Sequence, residues 1–413
     1  MQLQELYGRS VRKKDFIARV KALAEKFEKS TAEKPDAWYS ASGRAEIIGN
    51  HTDHNHGSVI VAAISCDVLA AVKSRTDGKI QIFSEGYAPF ELDVNDLSVR
   101  EQEYGKSIAL VRGVLKGFCD RGLEVGGFTA YCESTVFRGA GVSSSAAFEL
   151  LICEILNQLY AGGAVGSVEK AIISQFAENI YFGKPCGLLD QSGIALGGIN
   201  RIDFKDPSNP EIEALTPLQG YSLVITNTGG SHAKLTAHYA AIKEEMHAVA
   251  ECFGKQFLRD VPYEEVLAEI VKLRTKVSER AILRALHFYE ENARVSRAAQ
   301  ALKEGDAAGF LAQIGESGRS SLECLQNCYV PGSAEQPIAL AMHISERIIR
   351  DGAVRIHGGG FAGTVLAYLA DAEVPGYVAQ MEKIFGAGNV FTASVRIPGA
   401  VRLNIEELAE QQI

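Results

Sequence analysis

The sequence predicts an α+β fold in two lobes, with the chemistry in the cleft between them. Three observations carry that expectation. Strand-like apolar runs fill residues 38–92, strongly periodic helical segments follow, and the second half opens and closes on further strands. The chain of 413 residues is long enough for two domains with proper cores. A composition shift at Asp206-Pro207-Ser208-Asn209-Pro210 divides it into residues 1–206 and 207–413.

Residues 1–36 read as a charged helical lead-in ending at Pro35. Strands are expected at Val59–Ile64, Val68–Val72 and Ile80–Phe83, punctuated by turn signals such as Thr76-Asp77-Gly78. A helix over Ser107–Cys119 and a strand over Gly127–Cys132 follow. A glycine–serine loop then opens an apolar helix reaching Tyr160, and another helix covers Ser167–Phe182, stopped by Gly183 and Pro185. The second half begins with a strand, Tyr221–Thr226, followed by helices near Thr236–Phe253, Tyr263–Leu273 and Arg280–Lys303. A last strand pair, Ala353–Ile356 and Gly363–Leu369, flanks a triple glycine. There is no tandem repeat or low-complexity segment.

The bulk numbers exclude several function classes. A net charge of −9 provides no basic surplus for nonspecific nucleic-acid or anionic-membrane binding. An anionic substrate therefore needs a local site: a glycine loop, a helix start or a metal ion. Met1–Lys14 lacks the apolar core of a secretory signal, and the longest apolar run, Ser58–Val72, is too short to span a bilayer. Eight scattered cysteines with no Cys-x-x-Cys pair point to reduced core residues in a cytoplasmic protein. The state of assembly is left open.

Four stretches carry chemistry. Gly43–Gly57 packs an arginine, two carboxylates, asparagine and three histidines between glycines. That polarity exceeds what a strand and turn need for folding, and it suits a polyhydroxylated or charged ligand. His51, Asp53, His54 and His56 are also ligand types for a transition metal, although their alternating directions in a turn favour histidines beside a pocket. In Gly139-Ala140-Gly141-Val142-Ser143-Ser144-Ser145, glycines admit an anion, and the following helix start offers free N–H groups. A capped helix start is the alternative, and no P-loop spelling occurs. Within Ala177–Gln191, Glu178 ends a helix and Asp190 follows a glycine turn, so the two carboxylates can face one cleft. The competing reading makes one a solvated helix residue and the other a turn cap. Gly352–Gly363 satisfies Gly-x-Gly-x-x-Gly, but the strand-like Thr364–Leu369 after it argues against a dinucleotide fold.

These stretches resemble motifs of the galactokinase family within the GHMP kinases. The first resembles the family's Gly-Arg-x-x-x-Ile-Gly-Glu-His-Thr-Asp-Tyr-Asn-x-Gly, the second Gly-x-Gly-Leu-x-Ser-Ser-Ala. The third resembles Ala-Glu-Asn-x-Phe-Val-Gly-x-x-Cys-Gly-Ile-Met-Asp-Gln, the fourth Gly-Ala-Arg-Met-Thr-Gly-Gly-Gly-Phe-Gly-Gly. A further segment, Asn227 to Tyr239, resembles the family's Asn-Thr-x-x-x-His stretch ending in a sugar-contacting tyrosine. The likeness runs from about Trp38 to Arg402, with the motifs in family order.

The resemblance implies a two-lobed GHMP kinase fold and an ATP- and Mg2+-dependent kinase acting on the anomeric hydroxyl of D-galactose. It makes Asp190 the base and Arg44 the charge stabiliser. Asn50, His51, Thr52, Asp53 and Tyr239 would bind the sugar, with Asp53 gripping the C3 and C4 hydroxyls. Gly139 to Ser145 and Ser84 would hold the nucleotide, and Ser145 and Glu178 the Mg2+. The chain departs from the pattern at Asn50 (glutamate in the family, on the C6 hydroxyl), Glu46 (asparagine), His54 (tyrosine), Ser42 (proline) and His357 (threonine). Loss of charge at Asn50 admits a sugar altered at C6, and Glu46 is expected to pair with Arg44. Alternatives are a kinase for a related sugar, such as a uronic acid or an N-acetylated galactose, and a non-catalytic galactose and ATP sensor. The intact serine loop favours an enzyme.

Overall fold

A computed structural model describes residues 1–8, 11–136, 141–229 and 235–411. Its strands, in chain order, are β1 (Ala37–Ile48), β2 (Ser58–Arg75), β3 (Lys79–Ser84), β4 (Phe90–Asp93), β5 (Gly127–Ser134) and β6 (Ile199–Asp203). After these come β7 (Glu211–Leu215), β8 (Tyr221–Asn227), β9 (Gly352–His357), β10 (Thr364–Ala370), β11 (Val390–Ala393) and β12 (Val401–Leu403). They form a mixed sheet in the order β12-β1-β2-β5-β3-β4, with β6 and β7 attached through β2, and an antiparallel sheet in the order β11-β8-β10-β9. Helices cover these sheets, as the α+β expectation requires.

β2 organises the larger sheet. Its near-continuous apolar run suits a strand covered on both faces. One edge pairs with β1; the other is shared, Ser58–Ala62 bonding to β6 and Val68–Arg75 to β5. The two strands expected at 59–64 and 68–72 are therefore one. Asp67 does not break it, because the register against β1 shifts between Ser42 and Gly43 and the carboxylate is fully satisfied inside. It accepts from Ser40 Oγ (2.5 Å), Tyr7 Oη (2.7 Å) and Arg19 Nη1 (2.7 Å).

Asp206–Pro210 lies in the turn between β6 and β7, both in the larger sheet, and the chain reaches the smaller sheet at Tyr221. The helix expected at 263–273 is divided into Tyr263–Ala268 and Ile270–Leu273. Helices Ala307–Ser320, Pro337–Ile348 and Val374–Phe385, with β6, β7, β11 and β12, add to the elements foreseen. One apolar core joins the sheets: Ala45 and Ile47 of β1 share it with Leu223, Ile225 and Leu366. All eight cysteines are free, but only Cys132, Cys153 and Cys328 are buried. Among the described residues, no helix is long and apolar enough to cross a membrane.

Candidate active site

Strand alternation puts Arg44 and Glu46 on one face of β1. The guanidinium of Arg44 meets Asp190, in the first turn of the helix Leu189–Leu196. Nε and Nη2 lie 2.9 and 2.8 Å from Asp190 Oδ1, and Nη1 donates to the Gly141 carbonyl. The backbone N–H of Arg44 donates to the Val142 carbonyl (3.2 Å), so the same residue also holds the serine loop. Asp190 Oδ2 accepts from Ser143 Oγ at 2.5 Å. Burial pushes the Asp190 carboxyl up, but the Arg44 charge, the Ser143 hydroxyl and the Lys184 charge outweigh it and leave it below its ordinary value. The group is an ionised carboxylate at neutral pH.

Ser143 precedes the helix Ser144–Leu159 with φ of +61°, a left-handed conformation that is strained for serine. Among the described residues six non-glycines have positive φ, and four of them (His51, His56, Ser143 and Phe361) fall in the polar motifs. Backbone strain is therefore concentrated at this cleft.

Glu178 sits in a π-helical turn, Ala177–Tyr181, that closes the helix Ser167–Phe176. It is 1 % exposed, so it is no solvated helix residue. Its Oε1 accepts from both Ser145 Oγ and Lys184 Nζ, each at 2.9 Å, and its Oε2 from Gln191 Nε2 at 2.7 Å. Behind it lies Glu149, also buried, bonded to Gln191 Nε2 at 3.3 Å through Oε2. Oε1 of Glu149 and Oε1 of Gln191 are buried with no hydrogen-bond partner. Burial and then the Glu178 charge push the Glu149 carboxyl well above its usual range.

The turn from Gly49 to Gly57 faces this pocket from the other side. Asp53 lies against Gly187, where an added Cβ would fall 1.7 Å from Asp53 Oδ2. Burial first, then the charges of Asp190 and Glu46, push Asp53 up to about 6, against the backbone N–H groups of His54 and Leu189. Thr52 is buried and its hydroxyl faces the Gly49 and Ser58 carbonyls (2.9 and 2.8 Å), closing the turn. His51 Nε2 donates to the Gly359 carbonyl (2.9 Å), which leaves Nδ1 to accept from His54 Nε2 at 3.3 Å. His54 Nδ1 in turn accepts from Asn55 Nδ2 at 3.1 Å. Burial holds both rings below their usual pKa, consistent with neutral imidazoles. Among the described residues no cluster of histidine, cysteine or carboxylate is arranged to hold a metal ion. Tyr239 Oη donates to the Gly360 carbonyl (2.9 Å), bringing that ring to the triple glycine.

Asn50 has no exposed surface. Its Nδ2 donates to Glu46 Oε1 and to the Gly358 carbonyl, both at 2.8 Å, and its Oδ1 accepts from Asn327 Nδ2 at 2.7 Å. Glu46 pairs with Arg355 (2.9 Å), not with Arg44 as expected, because Asp190 occupies the Arg44 guanidinium. Glu291 Oε1 accepts the backbone N–H groups of Gly49 (3.0 Å) and Asn50 (3.3 Å) and the Ser317 hydroxyl (2.5 Å). Burial raises its pKa, but His287, Arg294 and Arg355 prevail and lower it to about 2. Arg355, Asn327, His287 and Glu291 were not anticipated. A signal existed: Arg284, His287, Glu291 and Arg294 recur at helical spacing on a buried face of the helix Glu279–Glu304.

The structure thus gathers Arg44, Ser143, Asp190, Ser145, Glu178 and Asp53 around one cleft, with Gly141 and Val142 against Arg44 and Ser144 opening the helix behind them. Ser84 ends β3, beside Cys132 of β5, the strand that leads towards the serine loop. Gly139 and Ala140, with the 230–234 part of the Asn227 to Tyr239 segment, lie outside the described residues.

Known proteins resemble this chain over most of its length. Residues 25–74 match the family model for the galactokinase galactose-binding signature, and residues 109–198 match that for the GHMP kinases N terminal domain. A galactokinase of Streptomyces coelicolor is 30 % identical over 373 residues, covering 89 % of this chain and 93 % of the relative. A galactokinase of Lactococcus lactis, solved with galactose, superposes with a TM-score of 0.82 at 24 % identity, covering 93 % of this chain and all (100 %) of that one. A mevalonate kinase of Methanococcus jannaschii gives 0.63 at 13 % identity, covering 87 % and 98 % of the two chains. At those identities the solved structures establish the GHMP kinase fold alone.

Proposed function

This chain belongs to the galactokinase family, and from that premise we propose that it moves the γ-phosphate of ATP to the anomeric hydroxyl of D-galactose. The product is α-D-galactose 1-phosphate. One observation carries the reading: Arg44 and Asp190 are in contact at the mouth of the serine loop, with Ser143 bonded to the same carboxylate. Phosphoryl transfer asks the protein mainly for positioning and charge stabilisation. Asp190 is ionised at neutral pH and accepts the proton of the C1 hydroxyl as O1 bonds to the γ-phosphorus and the bond to the ADP oxygen breaks. Arg44 steadies the charge on the transferring group while keeping Asp190 aimed. The N-terminal N–H groups of Ser144–Leu159 and the hydroxyls of Ser143 to Ser145 face the phosphates, and Ser84 contacts the nucleotide. Asp53, with His51 and Tyr239, orients the sugar; Asn50 and Thr52 hold the turn that presents them.

Ser145 and Glu178 fit a magnesium ion. They form an oxygen-only donor pair, with the buried, partnerless Oε1 of Glu149 behind them. Bound there, the ion would neutralise phosphate charge. We place the enzyme in the cytoplasm.

A second reading, a kinase for a sugar altered at C6, is favoured by Asn50, which carries no charge and turns its amide onto Glu46, Gly358 and Asn327. A coupled ADP-release assay across a sugar panel, with binding measured in parallel, tests both. Turnover of galactose supports the first reading, turnover only of a C6-altered sugar supports the second, and binding of galactose and ATP without turnover of any sugar overturns both.

A further inference from the structure

We propose that Lys184 is a second cation of the phosphate site. In the nucleotide-free chain its ammonium holds Glu178, and on nucleotide binding it turns onto the phosphates. The inference rests on the kinase reading above. No motif assigns a role to this residue.

The geometry points to Lys184 in three ways. Its Nζ lies 2.9 Å from Glu178 Oε1, the atom that also accepts the Ser145 hydroxyl at 2.9 Å. The ammonium therefore sits at the start of the helix Ser144–Leu159, where free N–H groups collect an anion. Second, the surroundings are rich in carboxylates: Glu178 and Glu149 are buried, and Asp190 is already paired to Arg44. Among the described residues Lys184 is the one cation bonded to Glu178. Third, its root is fixed while the rest of the side chain stands in solvent. The backbone N–H of Lys184 donates to the Glu178 carbonyl (3.1 Å), Gly183 before it has φ of +75°, and the side chain is 58 % exposed. A divalent cation that takes up Glu178 and Ser145 displaces the ammonium from Oε1, and the fixed root keeps it within a side chain's length of the phosphates. The pair joins an exposed ammonium to a buried carboxylate, so the lysine can leave only when another cation takes its place at Glu178. Its position at the helix start then gives it a ligand.

Calorimetric titration with a non-hydrolysable ATP analogue separates these roles, using wild type, Lys184→Gln and Lys184→Arg, each in EDTA and in saturating Mg2+. In EDTA, where lysine is the cation left at Glu178, the glutamine variant is expected to lose at least about tenfold in affinity, and the arginine variant to stay within about threefold. In Mg2+ the loss shrinks, because the ion supplies the charge. Thermal melting of the nucleotide-free variants confirms that they are folded. Equal affinity of wild type and the glutamine variant in EDTA overturns the proposal. If that equality accompanies normal galactose phosphorylation, the lysine role alone fails. Failure of folded wild type to bind the analogue in either buffer fails the kinase reading as well.

Discussion

Around the turn Gly49–Gly57 buried carboxylates are held by buried cations from distant parts of the chain, whereas the cation on Glu178 is an exposed lysine. Glu46 has Arg355 and Asn50; Glu291 has Arg294 and the backbone N–H groups of Gly49 and Asn50. Asp190 has the buried Arg44 and Glu178 the half-exposed Lys184, while burial and the Glu178 charge favour the neutral form of Glu149. Buried networks rigidify what they hold, while a carboxylate whose cation stands in solvent can exchange it for another. One wall of the cleft is thus completed by folding, the other by its ligand.

Four substitutions or conditions break or sharpen that contrast. The largest effect belongs to Asp190→Asn, which removes the proton acceptor and leaves Arg44 in place. Single-turnover kinetics should show kcat down by about 10²–10⁴ with sugar affinity largely kept. Asn50→Glu tests the paired wall. It sets a second carboxylate on Glu46 in a site with no exposure and should cost about 3–5 kcal/mol in urea unfolding. Exchanging both, Glu46→Asn with Asn50→Glu, should recover at least about 1 kcal/mol relative to additivity. A single variant as stable as wild type would end the claim that this wall is charge-balanced.

Gly187→Ala comes next, because its Cβ would fall 1.7 Å from Asp53 Oδ2 and must displace the carboxylate. Sugar KM should rise about 10–100-fold with ATP KM unchanged, since a misplaced binding group on this scale costs roughly two orders of magnitude. The smallest effect is a pH dependence. With Asp53 raised to about 6, the carboxylate gains a proton as pH falls through that value and loses acceptors for sugar hydroxyls. kcat/KM for the sugar should fall about tenfold per pH unit below it, and Asp53→Asn should flatten that limb.

Much of this was visible in the sequence where local signals are strong. The helix Ser107–Cys119 was read to the residue, and the pairing of Arg44 with Asp190 followed from the family motifs. A carboxylate in an apolar run reads as a break, which divides β2 at Asp67 in sequence, because its partners Tyr7, Arg19 and Ser40 are remote along the chain. Asn327, Arg355 and Glu291 escaped notice for the same reason: each acts on Glu46, Gly49 or Asn50 from more than 240 positions away. Lys184 occupies a position that the family spelling leaves open, so only the ammonium's distance to Glu178 revealed it. Helices such as Ala307–Ser320 and Pro337–Ile348 were not singled out in sequence, although both place apolar side chains in the interior.

β12 lies along β1, with Leu403 opposite Trp38 and Val401 opposite Ser40, on the strand that carries Arg44. Those partners are synthesised long after Trp38 and Ser40. At about 5–20 residues per second, roughly 20–70 s separate the two ends of that pairing during synthesis. The nascent chain therefore exposes an open edge on the strand that carries Arg44 until β12 has been made. The edge at Trp38–Ser40 can be covered only after that interval, and this is the timetable the topology imposes.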